Sequence, residues 1–147
     1  MRRALAVVAA GAALFAACAL CVACALPPAA PAAAIDAPVG PPGDPARGRA
    51  LIIARDPANC VLCHAVPDPE LPVAGDLGPT LAGVGARLSP GAIRLRIVDA
   101  SRAHPGSIMP RYFSAAGLVD VAAPYRGLAI LDAQQVEDLV AYLGTLR

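Results

Sequence analysis

The stretch Cys60-Val61-Leu62-Cys63-His64 decides what this chain folds around. Two cysteines three residues apart lie on one face of a helical turn, so both sulfur atoms can reach the two vinyl groups of one porphyrin. The histidine that follows holds its imidazole beside the ring, where it can occupy one axial position on the iron. The spacing therefore predicts one covalently attached haem c.

Two other interpretations of this motif, a structural zinc site and a redox dithiol, have less support. A structural zinc ion needs four ligands, and beyond the N-terminal segment the chain offers only Cys60, Cys63, His64 and His104. Adjacent Cys63 and His64 are poorly placed to share one tetrahedral ion. A redox dithiol usually sits near a β-α-β pattern, and no strand-like run precedes Cys60.

The N-terminus is typical of an export signal. Two arginines precede residues 4–26, which carry no charge, and small residues at 32–34 offer a cleavage site. We therefore expect a signal peptide over 1–34 and a periplasmic mature protein. The apolar run also has the length of about 20 residues that crosses a bilayer, so an uncleaved anchor stays open. A lipid anchor also stays open, because the leader contains Cys18, Cys21 and Cys24.

Composition limits the rest of the chain to one small domain. Residues 35–43 are rich in Pro, Ala and Gly and are interpreted as a flexible linker, followed by a domain over 44–147. Beyond residue 34 the chain has 10 Arg and 11 acidic residues, a balance that argues against a nucleic-acid partner. With so few aromatic residues, a covalently held haem would supply much of the apolar interior.

Capping residues predict three helices and no strand, which makes the fold all-α. The helices run from Ala46 to about Arg55 after Asp44-Pro45, from Pro90 to about Ala100 after Ser89, and onward from a capping box formed by Asp132 and Gln135. The last helix has an apolar stripe at Val136, Leu139, Val140 and Leu143. We expect it to cross the first helix and close the haem pocket.

The second axial ligand comes from a short list. Met109 is the only methionine besides the initiator, and His104 is the only other imidazole. We expect Met109, since it lies in a Pro-rich loop 45 residues after His64, with His104 or an open position as alternatives. A backbone carbonyl near Pro79 could accept the second ring N–H of His64, although an ordinary turn proline explains Pro79 equally well.

These features together resemble the class I cytochromes c. More specifically, residues 59–147 resemble the SoxX family, the monohaem subunits of SoxAX cytochromes of sulfur oxidation. The likeness is carried by the haem motif, by Gly75-Asp76-Leu77-Gly78-Pro79-Thr80-Leu81-Ala82-Gly83-Val84-Gly85-Ala86-Arg87, by Ile108-Met109-Pro110-Arg111-Tyr112, and by the tail from Tyr125-Arg126-Gly127 to Glu137-Asp138 and Leu143.

The resemblance implies a role for each site residue and a set of partners. Cys60 and Cys63 would be the thioether attachments, His64 the proximal ligand and Met109 the distal one. The partner would be a SoxA-like cytochrome subunit with one or two haems, on which the sulfur chemistry takes place. The complex, L-cysteine S-thiosulfotransferase, would join thiosulfate to a cysteine of a SoxYZ-like carrier. This chain would accept the electrons and pass them to a soluble cytochrome c.

Two other functions remain as alternatives. One is a free-standing periplasmic carrier that delivers electrons to an oxidase or another respiratory partner, and the other is a haem sensor or peroxidase with an exchangeable axial position. An apolar patch outside the haem edge, involving Leu118, Val119 and Val121, would favour a permanent subunit. Arg87 is either a contact of a haem propionate or a solvated surface residue.

Overall fold

The computed structural model describes residues 34–71 and 75–147, so the predicted signal segment lies outside the described residues apart from Ala34. In the described chain the helices are α1 (Pro45–Ile53), α2 (Val84–Arg87), α3 (Pro90–Asp99) and α4 (Ala133–Thr145), with no β-strand. Single turns of 3-10 helix lie at Cys60–Leu62, Ala100–Arg102 and Ala123–Tyr125. The all-α prediction is confirmed. None of the described helices has both the length and the apolarity needed to cross a membrane.

The three longer helices begin at the predicted capping residues. The Asp44 carboxylate accepts the amide N–H of Ala46 at 2.7 Å, and Pro45 occupies the first helical position. The Ser89 hydroxyl accepts the amide N–H of Ala92 at 3.2 Å at the start of α3. At the start of α4, Asp132 and Gln135 form the expected reciprocal capping box. The short helix α2 was not predicted, because four residues are too few to show an apolar period.

Helices α1 and α4 cross in close contact, as predicted. Gly48 of α1 is buried at the crossing, where a side chain would collide with the carbonyl oxygen of Asp138 and with the Tyr142 side chain on α4. A residue without a Cβ therefore lets the two backbones approach. The predicted stripe on α4, formed by Val136, Leu139, Val140 and Leu143, is buried together with Tyr142. They form one core with residues of α1 and α3, among them Ile52, Ile93 and Ile97.

Residues 35–43 pack on the domain. The backbone of Ile35 pairs with α3, donating to the Gly91 carbonyl at 3.0 Å. The amide of Val39 donates to the Glu137 carboxylate at 2.9 Å, so the segment also binds α4. The flexible linker indicated by composition is thus corrected to a docked strap, and the packed domain extends to Ile35. The reason is that polar groups of α3 and α4, far away in sequence, satisfy its backbone.

Candidate functional site

The motif Cys60–His64 forms a helical turn between α1 and the following loop. Asn59 adopts left-handed backbone geometry (φ 46°), which Asn tolerates better than most residues, and so starts the turn. The amide N–H groups of Cys63 and His64 then donate to the carbonyl of Cys60 at 3.2 and 3.0 Å. Both cysteine side chains are half-buried. The turn thus has the helical geometry from which the spacing predicts two sulfurs on one side.

The loop that returns past this turn is held to it by backbone hydrogen bonds. The amide of Gly75 donates to Val61 at 2.9 Å, and the amide of Gly78 donates to Cys63 at 2.7 Å. Thr80 and Leu81 continue the contact, and the Leu81 amide donates to Ala65 at 2.8 Å. The loop therefore lies along the motif and positions Pro79 against it.

The imidazole of His64 is oriented by this loop. Its Nδ1 lies 2.7 Å from the carbonyl oxygen of Pro79. A carbonyl can only accept, so Nδ1 carries the proton and Nε2 keeps the lone pair that a metal needs. A Cβ at Gly78 would lie 2.5 Å from Cε1 of the ring, so the loop approaches this closely only because residue 78 is glycine. The hydrogen bond from His64 to the Pro79 carbonyl, considered from the sequence, is therefore present in the structure.

The loop that carries Met109 is fastened on both sides of the methionine. Before it, the Ser107 hydroxyl accepts the Met109 amide N–H at 3.2 Å. After it, the Tyr112 amide donates to Ile97 of α3 at 3.2 Å, and the Tyr112 hydroxyl donates to the Ala58 carbonyl at 3.0 Å. Tyr112 therefore joins the methionine loop to the segment that precedes Cys60. Burial raises the pKa of this phenol to about 12, which keeps it a hydrogen-bond donor.

These elements enclose one pocket. It holds about 360 Å³ of space between side chains, part of it open to solvent. His64 and Met109 both line this pocket, together with Cys60. The other lining residues are apolar or aromatic: Ile52, Ala58, Leu81, Ile97, Tyr112, Leu131, Leu139 and Leu143. Cys63 lies at the end of the same turn but is not among the lining residues, and His104 is exposed on its loop away from them.

The donors fit a haem better than they fit a zinc ion or a redox dithiol. Burial raises the pKa of the Cys60 thiol to about 11, whereas a reactive dithiol needs a lowered pKa. Within the described ranges no three His, Cys, Asp or Glu side chains are grouped so as to hold a metal ion. An apolar slot with a thiol, an imidazole and a thioether at its wall suits a porphyrin and its iron.

Three site residues carry roles that the residues alone did not indicate. Gly78 leaves space for the imidazole of His64, and Tyr112 connects the methionine loop to the segment before Cys60. Arg87 stabilises the loop that contains Thr80 and Ala82. The Arg87 guanidinium donates to the carbonyl oxygens of Ala82 and Thr80, the latter at 3.1 Å. Its side chain is exposed. Of these three residues, only Gly78 has a local sequence signal, the Gly78-Pro79 dipeptide. The roles of Tyr112 and Arg87 depend on tertiary contacts, which a local pattern does not show.

Comparisons with known proteins identify the family of the chain. A sequence profile of the cytochrome c family matches residues 45–147. Among solved structures, the chain is similar to a chain of SoxXA from P. pantotrophus, at 33% identity and a TM-score of 0.70, with 77% of this chain and 89% of that chain covered. No curated protein is significantly similar in sequence.

The family match spans the helices, the haem motif and the methionine loop alike. A structural similarity at this level of identity extends the likeness to a monohaem cytochrome of the SoxX kind. The chain thus belongs to the cytochrome c family, as a SoxX-like electron-transfer protein with covalently attached haem c.

Proposed function

We propose that this chain is the monohaem electron-transfer subunit of a SoxAX-like complex. Cys60 and Cys63 would hold the haem through two thioether links, and His64 and Met109 would be the two side chains that bind its iron. The observation that carries this assignment is that the His64 ring and the Met109 side chain line the same apolar pocket.

The side chains divide the work of holding and tuning the haem. Donation from His64 Nδ1 to Pro79 fixes the ring tautomer and makes Nε2 a stronger ligand. Met109 supplies a soft, uncharged sulfur that favours ferrous iron and raises the reduction potential. The haem supplies a one-electron redox couple. With His64 and Met109 both bound to the iron, the site would suit outer-sphere electron transfer better than oxygen or peroxide chemistry.

The partners follow from the same assignment. Residues 35–147 contain only two cysteines, both committed to thioether links, so sulfur chemistry belongs on another subunit. A SoxA-like cytochrome is the first partner, supported by the similarity to SoxXA. A SoxYZ-like carrier that receives thiosulfate is the substrate of the complex, and a soluble cytochrome c accepts the electrons. All of these proteins meet in the periplasm, which the proposed signal segment 1–34 allows this chain to reach.

Purification from periplasm tests the proposal. The chain is expressed with the haem-maturation machinery and its tagged form is captured from the periplasmic fraction. Denaturing electrophoresis with haem staining should show pigment on this chain and a second haem protein at equal stoichiometry. A pigmented monomer without a partner would support the free-standing carrier instead. A chain that carries no pigment after denaturation would contradict the haem assignment itself.

A further inference from the structure

Residues 116–130 form an apolar loop that the domain leaves uncovered. Every residue of the loop except Val121 is exposed. Its large apolar side chains include Val119 at 82% exposure, Tyr125 at 66% and Leu128 at 59%. A loop of this length without an α-helix or strand of its own usually has a function, and side chains of this kind in water usually mark a contact surface.

The loop is held in shape although it lacks a core. The segments that flank it are joined, because the Leu131 amide donates to the Tyr112 carbonyl at 2.8 Å. Inside it, the amide of Tyr125 donates to Ala122 at 2.9 Å, and the Arg126 guanidinium donates to the Val121 carbonyl at 3.1 Å. A surface that is already ordered loses less conformational entropy when it binds a partner.

The size of this surface fits a lasting complex. Leu118 and Ile130 add to the three side chains named above. At roughly 100 Å² for each of these five side chains, the loop presents on the order of 500 Å² of apolar area. A stable interface takes about 800 Å² from each partner, so the loop would supply more than half of one side.

The low charge of the loop also favours a lasting complex. Its only ionisable side chains besides Tyr125 are Asp120 and Arg126, which are opposite in sign. Brief electron-transfer encounters are small and are steered by complementary charge. A neutral, apolar and ordered loop is suited to a partner that stays bound.

From these observations we infer that the loop 116–130 is the surface by which this chain binds its SoxA-like haem subunit in a permanent heterodimer. This inference rests on the proposed function and adds the location of the contact. The loop begins seven residues after Met109, and Leu131, the residue that follows the loop, binds Tyr112 of the methionine loop. The bound partner would therefore sit on the methionine side of the pocket.

A paired set of variants tests the location. Val119→Asp with Leu128→Asp places two charges in the loop, on exposed side chains whose change should leave the fold intact. Ala46→Asp with Ala50→Asp is the matched control, because it places the same two charges on exposed residues of α1, outside the loops that line the pocket. Each form is co-expressed with the SoxA-like subunit, and sedimentation velocity followed at a haem absorption band measures the fraction in complex.

The expected result is a heterodimer for the wild-type chain and for the α1 control, and at least a tenfold weaker association for Val119→Asp with Leu128→Asp, with an unchanged haem spectrum. A loop double variant that binds as tightly as the wild type would overturn the location while leaving the proposed function intact. A wild-type chain that stays monomeric with the SoxA-like subunit would overturn both. Wild-type self-association that the loop double variant abolishes would assign the loop to a homodimer and overturn the inference.

Discussion

The Nδ1 atom of His64 lies 2.7 Å from the carbonyl oxygen of Pro79, across a loop fifteen residues long. This contact fixes which ring nitrogen carries the proton, and it depends on the absence of a side chain at Gly78. The sequence Gly78-Pro79 therefore acts as one unit, in which the glycine gives access and the proline supplies the acceptor. Both residues control the ligand that we assign to the proximal position.

Replacing Gly78 with alanine should disturb this contact. The new Cβ would lie 2.5 Å from Cε1, 2.7 Å from Nδ1 and 3.0 Å from Nε2 of His64, so the ring or the loop must move. Overpacking of this kind costs about 1–3 kcal/mol of unfolding free energy, measurable by chemical denaturation. The resonance of the proximal ring should also shift in the NMR spectrum. Gly106→Ala is the control, because no atom lies within 4 Å of a Cβ there, and an equal effect of both changes would refute the explanation.

Met109→Leu should remove the distal ligand and keep the haem. Leucine has similar volume and no donor atom, so the weak absorption band of the oxidised protein from sulfur–iron coordination should disappear. The reduction potential should fall, because the thioether favours ferrous iron, and added cyanide should bind rapidly at the vacated position. His104→Gln should leave all three readouts unchanged, since His104 is exposed away from the pocket. A sulfur band that survives in Met109→Leu would exclude Met109 as the ligand.

The parts of the structure that the residues predicted are those governed by near neighbours. Asp44, Ser89 and Asp132 each cap a helix through an atom at most three residues away, so their roles can be recognised locally. The spacing of the haem motif is local in the same way. A contact is harder to predict where the hydrogen-bonding partner lies far away in the sequence. Ile35 and Val39 bind groups 59 and 98 residues away, so composition alone indicated a free linker.

The candidate site shows the same division. The proposed roles of the motif cysteines and His64 rest on spacing, and that of Met109 rests on its being the only methionine besides the initiator. Tyr112 could not be assigned a role in this way, since its contacts with Ala58 and Ile97 exist only once α1, α3 and the loops have packed. Side chains that orient a site are therefore less visible in a single sequence than the ligands they orient.

The buried ion pair of Arg94 and Glu137 should be a main anchor of the N-terminal strap. Both side chains are about 95% buried, and they meet through two hydrogen bonds of 2.8 Å. Arg94 also donates to the Ile35 carbonyl, and Glu137 accepts from Val39. Glu137→Gln leaves a buried guanidinium without its counter-charge, so unfolding free energy should fall by about 3–5 kcal/mol. Amide exchange at Val39 should accelerate.

The exposed pair of Arg111 and Asp99 provides the comparison for this prediction. Their atoms are 3.4 Å apart and the arginine is 44% exposed. Arg111→Met should therefore cost at most about 1 kcal/mol. Combining Arg94→Met with Glu137→Leu should cost less than Glu137→Gln alone, because no unpaired charge then stays buried. Equal losses from the exposed and the buried pair would show that the strap is not anchored in this way.

The pH dependence of stability should contain a contribution from Asp138. Its hydrogen bonds with the Arg47 guanidinium, at 2.7 and 2.8 Å, are the main reason that its pKa is lowered from 3.8 to about 2. A carboxyl group with a lower pKa in the folded chain stabilises that state above the unfolded pKa. This contribution is lost as the pH falls from about 4 to about 2.

Asp138→Asn removes that titration and its stabilisation together. The variant should be less stable than the wild type at pH 7, and the difference should shrink between pH 4 and pH 2 as the wild-type carboxylate takes up its proton. Urea unfolding followed by circular dichroism at each pH measures the difference, so acid effects common to both proteins cancel. Asp120→Asn, a change on the exposed loop, is the control, and the difference in unfolding free energy between it and the wild type should not change with pH. A gap between wild type and Asp138→Asn that stays constant down to pH 2 would contradict the lowered pKa, because only a group that titrates in this range can close it.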